Sequence, residues 1–278
     1  MGIHSEADLR VGDLISVVRA AGEILYRYFR KRDFAHVTKT GRANIVTEAD
    51  LASQRLIANE LSRRFPRVPV VGEEGEAGPL PCGGTYFLVD PLDGTLNFLH
   101  GIPFYSVSIA LMREGRPMAG VVYAPALGEL FHAMKGVGAF LNGRKLNRPS
   151  EKTLHEAIAV TGWPYDSALL GWVHRSLSVV QEKVQEVRIL GASSLEMCYV
   201  AAGLIDVYWE VGLYPWDLAA GWVMVEETGG IVSDLDGAAF DLVSGRVLAV
   251  GCRSLHKEML RLLGPLSGAV KGVRVEKN

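Results

Sequence analysis

The chain has 278 residues, of which 49% are hydrophobic and 22% are charged, a balance typical of a soluble globular protein with one large domain or two modest ones. Lysine and arginine total 29 against 31 aspartates and glutamates, so the net charge of -2 offers no basic excess for a nucleic-acid surface. No apolar run approaches the roughly 20 residues of a membrane span, and three widely spaced cysteines, Cys82, Cys198 and Cys252, favour a reducing cytoplasm over a disulfide framework or a zinc site.

The N-terminal part of the chain predicts two helices joined by a polar segment. Apolar side chains recur at helical spacing from about Glu6 to Arg32, which predicts a first amphipathic helix. The glycine-containing stretch 37–46 predicts a mobile loop or a hairpin. Thr47 can cap the start of a second helix, and Asp50 then lies in the first turn of that helix.

Two short apolar strands follow, and both end in carboxylates. Residues 68–71 lead to Glu73, and the run Thr85-Tyr86-Phe87-Leu88-Val89 leads to Asp90-Pro91-Leu92-Asp93-Gly94-Thr95. The proline restricts the backbone between the two acids, and the glycine allows a close approach by a ligand. The threonine can open a helix whose unpaired N–H groups attract phosphate. Two carboxylates beside a phosphate would repel it without cations between them, so this stretch implies a divalent metal.

The rest of the chain alternates strands with helices, which predicts mixed sheets covered by helices. The predicted strands span 104–112, 119–123, 130–134, 139–141, 157–160, 187–190, 205–210 and 247–250. The predicted helices span 169–185, 193–203, 216–228 and 255–263. A boundary near Arg148-Pro149-Ser150 divides the chain into an N-terminal half, residues 1–150, which carries most candidate metal ligands, and a C-terminal half, residues 151–278.

The acids at the ends of these elements form a candidate site. They are Glu73, Asp90, Asp93 and Asp217. Asp50 is expected near them, because it also lies at the end of an element, in the first turn of a helix. Two like charges about 4 Å apart repel by about 4 kcal/mol even at an effective dielectric constant near 20. Hard divalent cations relieve this repulsion, and Mg²⁺ prefers to be shared between carboxylates and a substrate phosphate. No cluster of histidines or cysteines competes for a softer metal.

Three motifs resemble the signatures of the inositol monophosphatase family, which belongs to a superfamily of magnesium-dependent, lithium-sensitive sugar phosphatases that includes the fructose-1,6-bisphosphatases. These motifs are Glu73-Glu74, Asp90-Pro91-Leu92-Asp93-Gly94-Thr95 and Trp216-Asp217. Weaker matches in the same order are residues 44–50, 139–143 and 191–194, so the resemblance covers nearly the whole chain. It implies a mixed α/β (α+β) fold, the five-layered αβαβα sandwich of these phosphatases, and a homodimer.

The resemblance also implies roles for individual residues. Two or three Mg²⁺ ions per site are expected, with the ligands Glu73, Asp90, the carbonyl of Leu92, Asp93 and Asp217. The residues expected to orient and activate the attacking water are Asp50, Thr95 and Glu73. The residues expected to contact the substrate are Lys39, Asp93, Gly94, Thr95, Gly191, Ala192, Ser193 and Glu210. Among these, the N–H groups of Gly94 and Thr95 would bind phosphate, and Glu210 would accept hydrogen bonds from polyol hydroxyls.

The metal motifs are shared by several related phosphatases, so they leave the substrate open. A small phosphorylated polyol or sugar is expected, with inositol 1-phosphate as the first candidate. The alternatives are fructose-1,6-bisphosphatase activity, alone or combined with the first, a nucleotide-type activity on phosphoadenosine phosphate or NADP, and histidinol phosphatase activity. From a different class, the chain could be a non-catalytic regulator that binds RNA or protein. The intact acids and the near-neutral charge disfavour that reading.

Overall fold

The computed structural model describes residues 11–31, 34–40, 44–74, 80–81 and 83–272. The helices in these ranges are α1 (Val11–Lys31), α2 (Glu48–Arg64), α3 (Thr95–His100), α4 (Leu170–Gln181), α5 (Ser193–Ala202), α6 (Pro215–Glu227) and α7 (Arg253–Ser267). The strands are β1 (His36–Thr40), β2 (Asn44–Thr47), β3 (Val70–Gly72), β4 (Thr85–Asp93), β5 (Ser106–Arg113), β6 (Arg116–Ala124), β7 (Glu129–Met134), β8 (Gly138–Leu141), β9 (Arg144–Lys145), β10 (Ile158–Val160), β11 (Glu186–Arg188), β12 (Val207–Val211), β13 (Ile231–Ser233) and β14 (Arg246–Val250).

The strands form two large sheets and one hairpin. The larger sheet has the order β3-β4-β5-β6-β7-β8-β9, and all its pairs are antiparallel except β3 with β4. The smaller sheet has the order β11-β10-β12-β14-β13, with β10 parallel to both of its neighbours. Strands β1 and β2 form the separate hairpin, so the hairpin alternative for this segment is confirmed.

Helices cover both sheets and give the five-layered αβαβα sandwich that the family resemblance implies. Helices α1 and α2 pack on one face of the larger sheet, α5 and α6 lie between the two sheets, and α4 and α7 cover the outer face of the smaller sheet. Strand β4 shows how this works, because its side chains alternate between two cores. Phe87 and Val89 pack with α1 and α2, whereas Tyr86 and Leu88 pack with α5 and α6.

The predicted elements are present, with differences at their ends. Strands β9 and β13 were not predicted, because each has only two or three residues and no alternating pattern long enough to recognise. The predicted Leu169–Gln185 helix ends earlier, at Gln181. The larger sheet comes from residues 70–145 and the smaller one from 158–250, yet α5 and α6 contact both sheets, so the division at residue 150 stays a prediction.

Some predictions fall outside the described residues. They concern the start of the first helix at Glu6, its end at Arg32, the hairpin turn at 41–43, and Cys82. The two described cysteines, Cys198 and Cys252, are buried and free. Within the described ranges, no helix combines the length and apolar character needed to traverse a lipid bilayer.

Candidate active site

The end of β4 carries two buried acids on a bulge. Asp90 pairs with Ser108 of β5, and Asp93 pairs with Ser106, so β4 advances three residues where its partner advances two. Pro91 lacks an N–H and is tolerated at such a position. The hydroxyl of Ser53 on α2 donates to the Pro91 carbonyl over 2.8 Å and holds the bulge. The strand therefore extends to Asp93, beyond the predicted end at Val89, and the bulge turns both acids toward one cleft.

Gly94 connects β4 to the short helix α3 in a way that needs glycine. Its φ is +84°, in the left-handed region. A Cβ at this position would lie 3.0 Å from the Phe104 carbonyl oxygen and 3.2 Å from both the Ala192 Cβ and the Gly191 carbonyl oxygen. The glycine thus lets the turn before α5 approach the end of β4. This contact brings the predicted substrate contacts Gly191 and Ala192 next to the acids of β4.

Asp50 and Thr95 lie next to each other, although 45 residues separate them in the chain. The Asp50 Oδ2 atom accepts hydrogen bonds from the Thr47 backbone N–H at 2.9 Å and the Thr47 hydroxyl at 2.5 Å, in the predicted cap of α2. The Thr95 hydroxyl lies 3.2 Å from Asp50 Oδ1 and 2.9 Å from the Leu92 carbonyl oxygen, and its one proton can go to either. Burial, partly offset by the hydrogen bonds from Thr47, raises the pKa of Asp50 to about 6.

Asp93 lies at the N-terminus of α5. Its two carboxylate oxygens accept the backbone N–H groups of Ser193 at 3.1 Å and Ser194 at 2.8 Å, and the Ser194 hydroxyl donates to it as well, at 2.5 Å. Burial raises the pKa of Asp93, and these hydrogen bonds act against that rise. The N-terminus of a helix favours a negative charge, so α5 stabilises the ionised form of this acid.

Glu73 follows β3 and faces Lys39 of the β1–β2 hairpin. The Lys39 ammonium group lies 3.2 Å from Glu73 Oε1 and also pairs with Glu74. Burial raises the pKa of Glu73 to about 7, with Lys39 opposing the rise and the charges of Glu74 and Asp50 adding to it. Although burial acts in the other direction, the charges of Glu73 and Glu74 raise the pKa of Lys39. The ammonium group of Lys39 thus already pairs with two acids at this end of the cleft.

Asp90 and Asp217 complete the cluster. Asp217 lies in the first turn of α6 and accepts the Tyr214 backbone N–H at 2.8 Å. Burial, followed by the charge of Glu73, raises the pKa of both acids well above the usual value for aspartate. Asp93 adds to the rise in each case. The negative charges of the neighbouring acids therefore make the ionised forms of Asp90 and Asp217 less favourable.

Glu210 lies on β12 and lines the same cleft. The Tyr208 hydroxyl donates to its Oε2 atom at 2.7 Å. Burial raises the pKa of Glu210 to about 7, while the hydrogen bond from Tyr208 lowers it and the charge of Asp93 raises it further. Gly162 packs against the carboxylate, and a Cβ there would lie 2.2 Å from Oε1 and 2.5 Å from Oε2. One carboxylate oxygen is thus committed to Tyr208, and the other borders the cleft.

The turn 189–193 lines the cleft beside Asp93 and Gly94 and is held from two sides. The Asn97 amide donates to the carbonyl oxygens of Phe104 at 2.8 Å and Leu190 at 2.7 Å. The buried Glu196 carboxylate accepts the N–H groups of Leu190 at 3.0 Å and Gly191 at 3.1 Å. Burial raises the pKa of Glu196 well above its usual range, with the charge of Glu210 adding to the rise. These side chains position the predicted substrate contacts.

The cleft has a volume of about 260 Å³. The predicted site residues that line it are Glu73, Asp90, Leu92, Asp93, Gly94, Thr95, Gly191, Ser193, Glu210 and Asp217. Three predicted residues do not line the cleft but contact residues that do: Asp50 contacts Thr95, Lys39 contacts Glu73, and the buried Ala192 packs against Gly94.

Sequence reasoning missed several residues that line the cleft. They are Leu96, Asn97, Trp163, Pro164, Tyr165, Ile189, Leu190, Gly212, Leu213 and Tyr214, together with Gly162. One signal was available for part of this set, because Gly162-Trp163-Pro164-Tyr165 follows strand β10 just as the acids follow β3 and β4. Open sheets place ligand sites at the carboxyl ends of their strands, so the position of this segment after β10 was the available signal.

The donor set of the cleft fits hard divalent cations. Its side-chain donors are carboxylate oxygens, with the Leu92 carbonyl beside them, and their charges raise one another's pKa. In the part of the chain that the structure describes, no three or more histidine, cysteine or acidic side chains are arranged to hold a metal ion as they stand. Mg²⁺ does not need such a cage, because it keeps several waters and binds one or two carboxylates together with a substrate phosphate.

Comparisons with known proteins extend over nearly the full chain. The sequence model of the inositol monophosphatase family matches residues 10–266. An inositol-1-monophosphatase of Rhizobium meliloti is 39% identical over 236 residues, which cover 84% of this chain and 89% of the relative. The Nus factor SuhB of Pseudomonas aeruginosa is 37% identical over 256 residues, 90% of this chain and 94% of the relative. A solved Thermotoga maritima IMPase has a TM-score of 0.84 at 32% identity and covers 94% of this chain and 99% of its own.

Proposed function

Because this chain belongs to the inositol monophosphatase family, whose members are phosphoric monoester hydrolases, we propose that it is a magnesium-dependent phosphatase of a sugar or polyol phosphate. Inositol 1-phosphate is the first substrate to test. The observation that carries the proposal is the convergence of Glu73, Asp90, Asp93 and Asp217 on one cleft, next to the Asp50–Thr95 pair. Four acids that repel one another in this way are suited to bind divalent cations, which relieve the repulsion and attract a phosphate.

The metal ligands in this proposal are Glu73, Asp90, the Leu92 carbonyl, Asp93 and Asp217, for two or three Mg²⁺ ions. Mg²⁺ bound there would supply positive charge that offsets the carboxylates and polarises the phosphoryl group. Lys39 supports the assignment, since its ammonium group already pairs with Glu73 and Glu74. Because a phosphate brings further negative charge, Lys39 also gives the bound ester a counter-charge at the edge of the site.

Asp50 and Thr95 would act on the attacking water. When the Thr95 hydroxyl donates to Asp50 Oδ1, a lone pair of Thr95 Oγ1 can take a proton from the water while Thr95 passes its own proton to Asp50. With its pKa raised to about 6, Asp50 is suited to receive the Thr95 proton near neutral pH. Glu73 would help to orient the same water by accepting a hydrogen bond from it. The N–H groups of Gly94 and Thr95 would hold the phosphate in line with it.

The leaving group would lie between Glu210 and the turn 191–193. Glu210 keeps one oxygen available beside Gly162 and would accept hydrogen bonds from polyol hydroxyls. Gly191, Ala192 and Ser193 would contribute backbone groups, held in place by Asn97 and Glu196. This arrangement favours a hydroxyl-rich leaving group over an apolar one.

Phosphate release from a panel of esters tests the proposal. The panel contains inositol 1-phosphate, fructose 1,6-bisphosphate, phosphoadenosine phosphate, NADP and histidinol phosphate, each with Mg²⁺ and with a chelator. We expect the largest kcat/KM for a polyol or sugar ester, and only with Mg²⁺. A preference for histidinol phosphate or a nucleotide ester would transfer the assignment to that alternative, and no release from any ester would refute phosphatase function.

A non-catalytic regulator is the second candidate, and the similarity to a Nus factor is the observation that favours it. The two candidates differ in what they require of the acids. A phosphatase loses its activity when Asp93 becomes asparagine, whereas a regulator that uses only the fold keeps its RNA or protein partner. A gel shift with RNA, measured beside phosphate release for both the wild type and Asp93→Asn, separates the two.

Three further properties belong to this proposal. Inhibition by lithium and a homodimer follow from the family resemblance, and sedimentation analysis of the purified chain tests the second. A cytoplasmic location is supported by Cys198 and Cys252, which are both buried and free.

A further inference from the structure

The backbone of Leu190 and Gly191 is held by side chains from two different helices. Asn97 of α3 donates a hydrogen bond from its amide to the Leu190 carbonyl oxygen at 2.7 Å. Glu196 of α5 accepts the N–H groups of Leu190 at 3.0 Å and Gly191 at 3.1 Å, both on its Oε1 atom. Leu190 and Gly191 line the cleft. The place of Glu196 therefore determines where this part of the cleft wall lies.

Glu196 makes these bonds from a buried position that has no counter-ion. Only 1% of its surface is exposed, and it does not line the cleft. In the part of the chain that the structure describes, its buried Oε2 atom has no hydrogen-bond partner. Within the same ranges, no cation forms an ion pair with its carboxyl group. A buried carboxylate without a counter-ion is far less favourable than a neutral carboxyl group, whose carbonyl oxygen can accept the same two N–H groups.

Glu210, the other buried glutamate of this region, is placed differently. It lines the cleft, and the Tyr208 hydroxyl donates to its Oε2 atom at 2.7 Å. Two buried carboxyl groups that act on each other do not both ionise readily. Burial, followed by the charges of Glu210 and Asp93, raises the pKa of Glu196 well above its usual range, in agreement with its lack of a counter-ion. Glu196 is therefore the group that keeps its proton, and Glu210 is the one that can present a negative charge to a ligand.

We propose that Glu196 is a positioning residue that sets the selectivity for a polyol leaving group, because it holds Leu190 and Gly191 in place as a neutral carboxylic acid. This inference rests on the proposed function, in which the leaving group lies between Glu210 and the turn 191–193. The two glutamates then have different requirements. Glu210 needs a negative charge to accept hydrogen bonds from hydroxyls, whereas Glu196 needs only an acceptor oxygen. The change from glutamate to glutamine should therefore have opposite consequences at the two positions.

The test first compares Glu196→Leu with the wild type on inositol 1-phosphate and 4-nitrophenyl phosphate in the presence of Mg²⁺. Leucine has a similar size but no acceptor, so both N–H groups lose their partner. Because two hydrogen bonds that hold the wall are lost, KM for inositol 1-phosphate should rise about fivefold to a hundredfold with little change in kcat. The second ester has no hydroxyl in its leaving group, and its kcat/KM should stay within about twofold of the wild-type value.

Glu196→Gln is the conservative variant. Its amide oxygen can accept both N–H groups, as the carbonyl oxygen of a neutral carboxyl group does. It should therefore restore KM for inositol 1-phosphate to within about twofold of wild type, whereas Glu210→Gln should lose about tenfold to a hundredfold in kcat/KM for this ester. The pH dependence of kcat/KM should be the same in Glu196→Gln as in the wild type, because the replacement removes no charge.

Glu227→Leu is the matched control. Glu227 holds a turn in a similar way, since its carboxylate accepts the N–H groups of Gly136 at 2.8 Å and Gly138 at 2.9 Å. Neither Glu227 nor that turn lines the cleft. This variant should leave the kinetics of both esters unaffected.

Three results would overturn the inference while leaving the phosphatase assignment intact. A loss of about tenfold or more on inositol 1-phosphate in Glu196→Gln would mean that Glu196 acts through its charge. Equal losses on both esters in Glu196→Leu would mean that it acts through the fold, and wild-type kinetics would mean that the turn does not need it. If Glu196→Leu does not fold, Glu196→Asp replaces it, because its carboxyl group is one CH₂ group further from the turn. A wild type inactive on every ester would refute the proposed function, and this inference with it.

Discussion

Replacing Glu210 by glutamine should weaken catalysis only for substrates whose leaving group carries hydroxyls. Glu210 is 5% exposed, and its Oε2 atom accepts the Tyr208 hydroxyl at 2.7 Å. A glutamine in the same rotamer can keep that bond through its amide oxygen. Its NH₂ group then occupies the place of Oε1, so the cleft presents a donor where the polyol hydroxyl needs an acceptor.

The size of the effect follows from the bond that is lost. A hydrogen bond to a charged group contributes about 1.5–3 kcal/mol, which corresponds to roughly tenfold to a hundredfold in kcat/KM. The assay compares inositol 1-phosphate with 4-nitrophenyl phosphate at about pH 8, above the folded-state pKa of about 7 for Glu210. Only the polyol ester should show the loss.

A second variant checks the same reasoning from the other side of the contact. Gly162→Ala places a Cβ 2.2 Å from Glu210 Oε1 and 2.5 Å from Oε2, so the whole carboxylate must move. It should reproduce the selective loss without changing the charge of the cleft. Equal losses for both esters in Glu210→Gln would mean that Glu210 acts through the metals or the fold, and the leaving-group assignment would be wrong.

Three other changes test the cluster of acids. Asp93→Asn should nearly abolish turnover of both esters. It should also lower the melting temperature, because an amide NH₂ group would face the N–H donors at the start of α5. Near-native turnover would show that Asp93 is not part of the catalytic site. In chelator, stability should fall as the pH rises from about 4 through 7, since Asp50, Glu73 and Glu210 have folded-state pKa values of about 6, 7 and 7 and the folded chain binds more protons than the unfolded one. Melting scans across this range should show that decline and a gain on adding Mg²⁺ at the upper end; a flat profile would contradict it. Submillimolar to millimolar lithium should inhibit turnover at saturating Mg²⁺, and a flat titration would indicate a resistant enzyme.

The acids were predictable because each one ends a recognisable local element. Apolar runs before Glu73 and Asp90 indicate strands, and carboxylates directly after a strand end lie at the edge where open sheets bind ligands. The cap at Thr47 likewise identifies Asp50 as the acid in the first turn of a helix. These inferences use only residues that are neighbours in the chain, so they can be made from the sequence alone.

The supporting contacts were not predictable, because they join distant parts of the chain. Asn97 and Leu190 are 93 positions apart, and Asp93 and Ser194 are 101 apart. A periodic pattern reports which face of an element is buried, not which residue it meets. Tyr165 illustrates the limit, since its sequence neighbours suggest a turn and only the folded chain brings it to the cleft that the four acids line.

Phosphate release from inositol 1-phosphate by the purified chain, with Mg²⁺ and after exhaustive chelation, tests the central claim most directly. Uncatalysed hydrolysis of phosphate monoesters is so slow that enzymes accelerate it by up to about 10²¹-fold. Carboxylates alone cannot stabilise the charge of the phosphoryl group. Turnover should therefore be rapid with Mg²⁺, disappear in chelator and return when Mg²⁺ is restored. Full turnover after chelation would contradict the account.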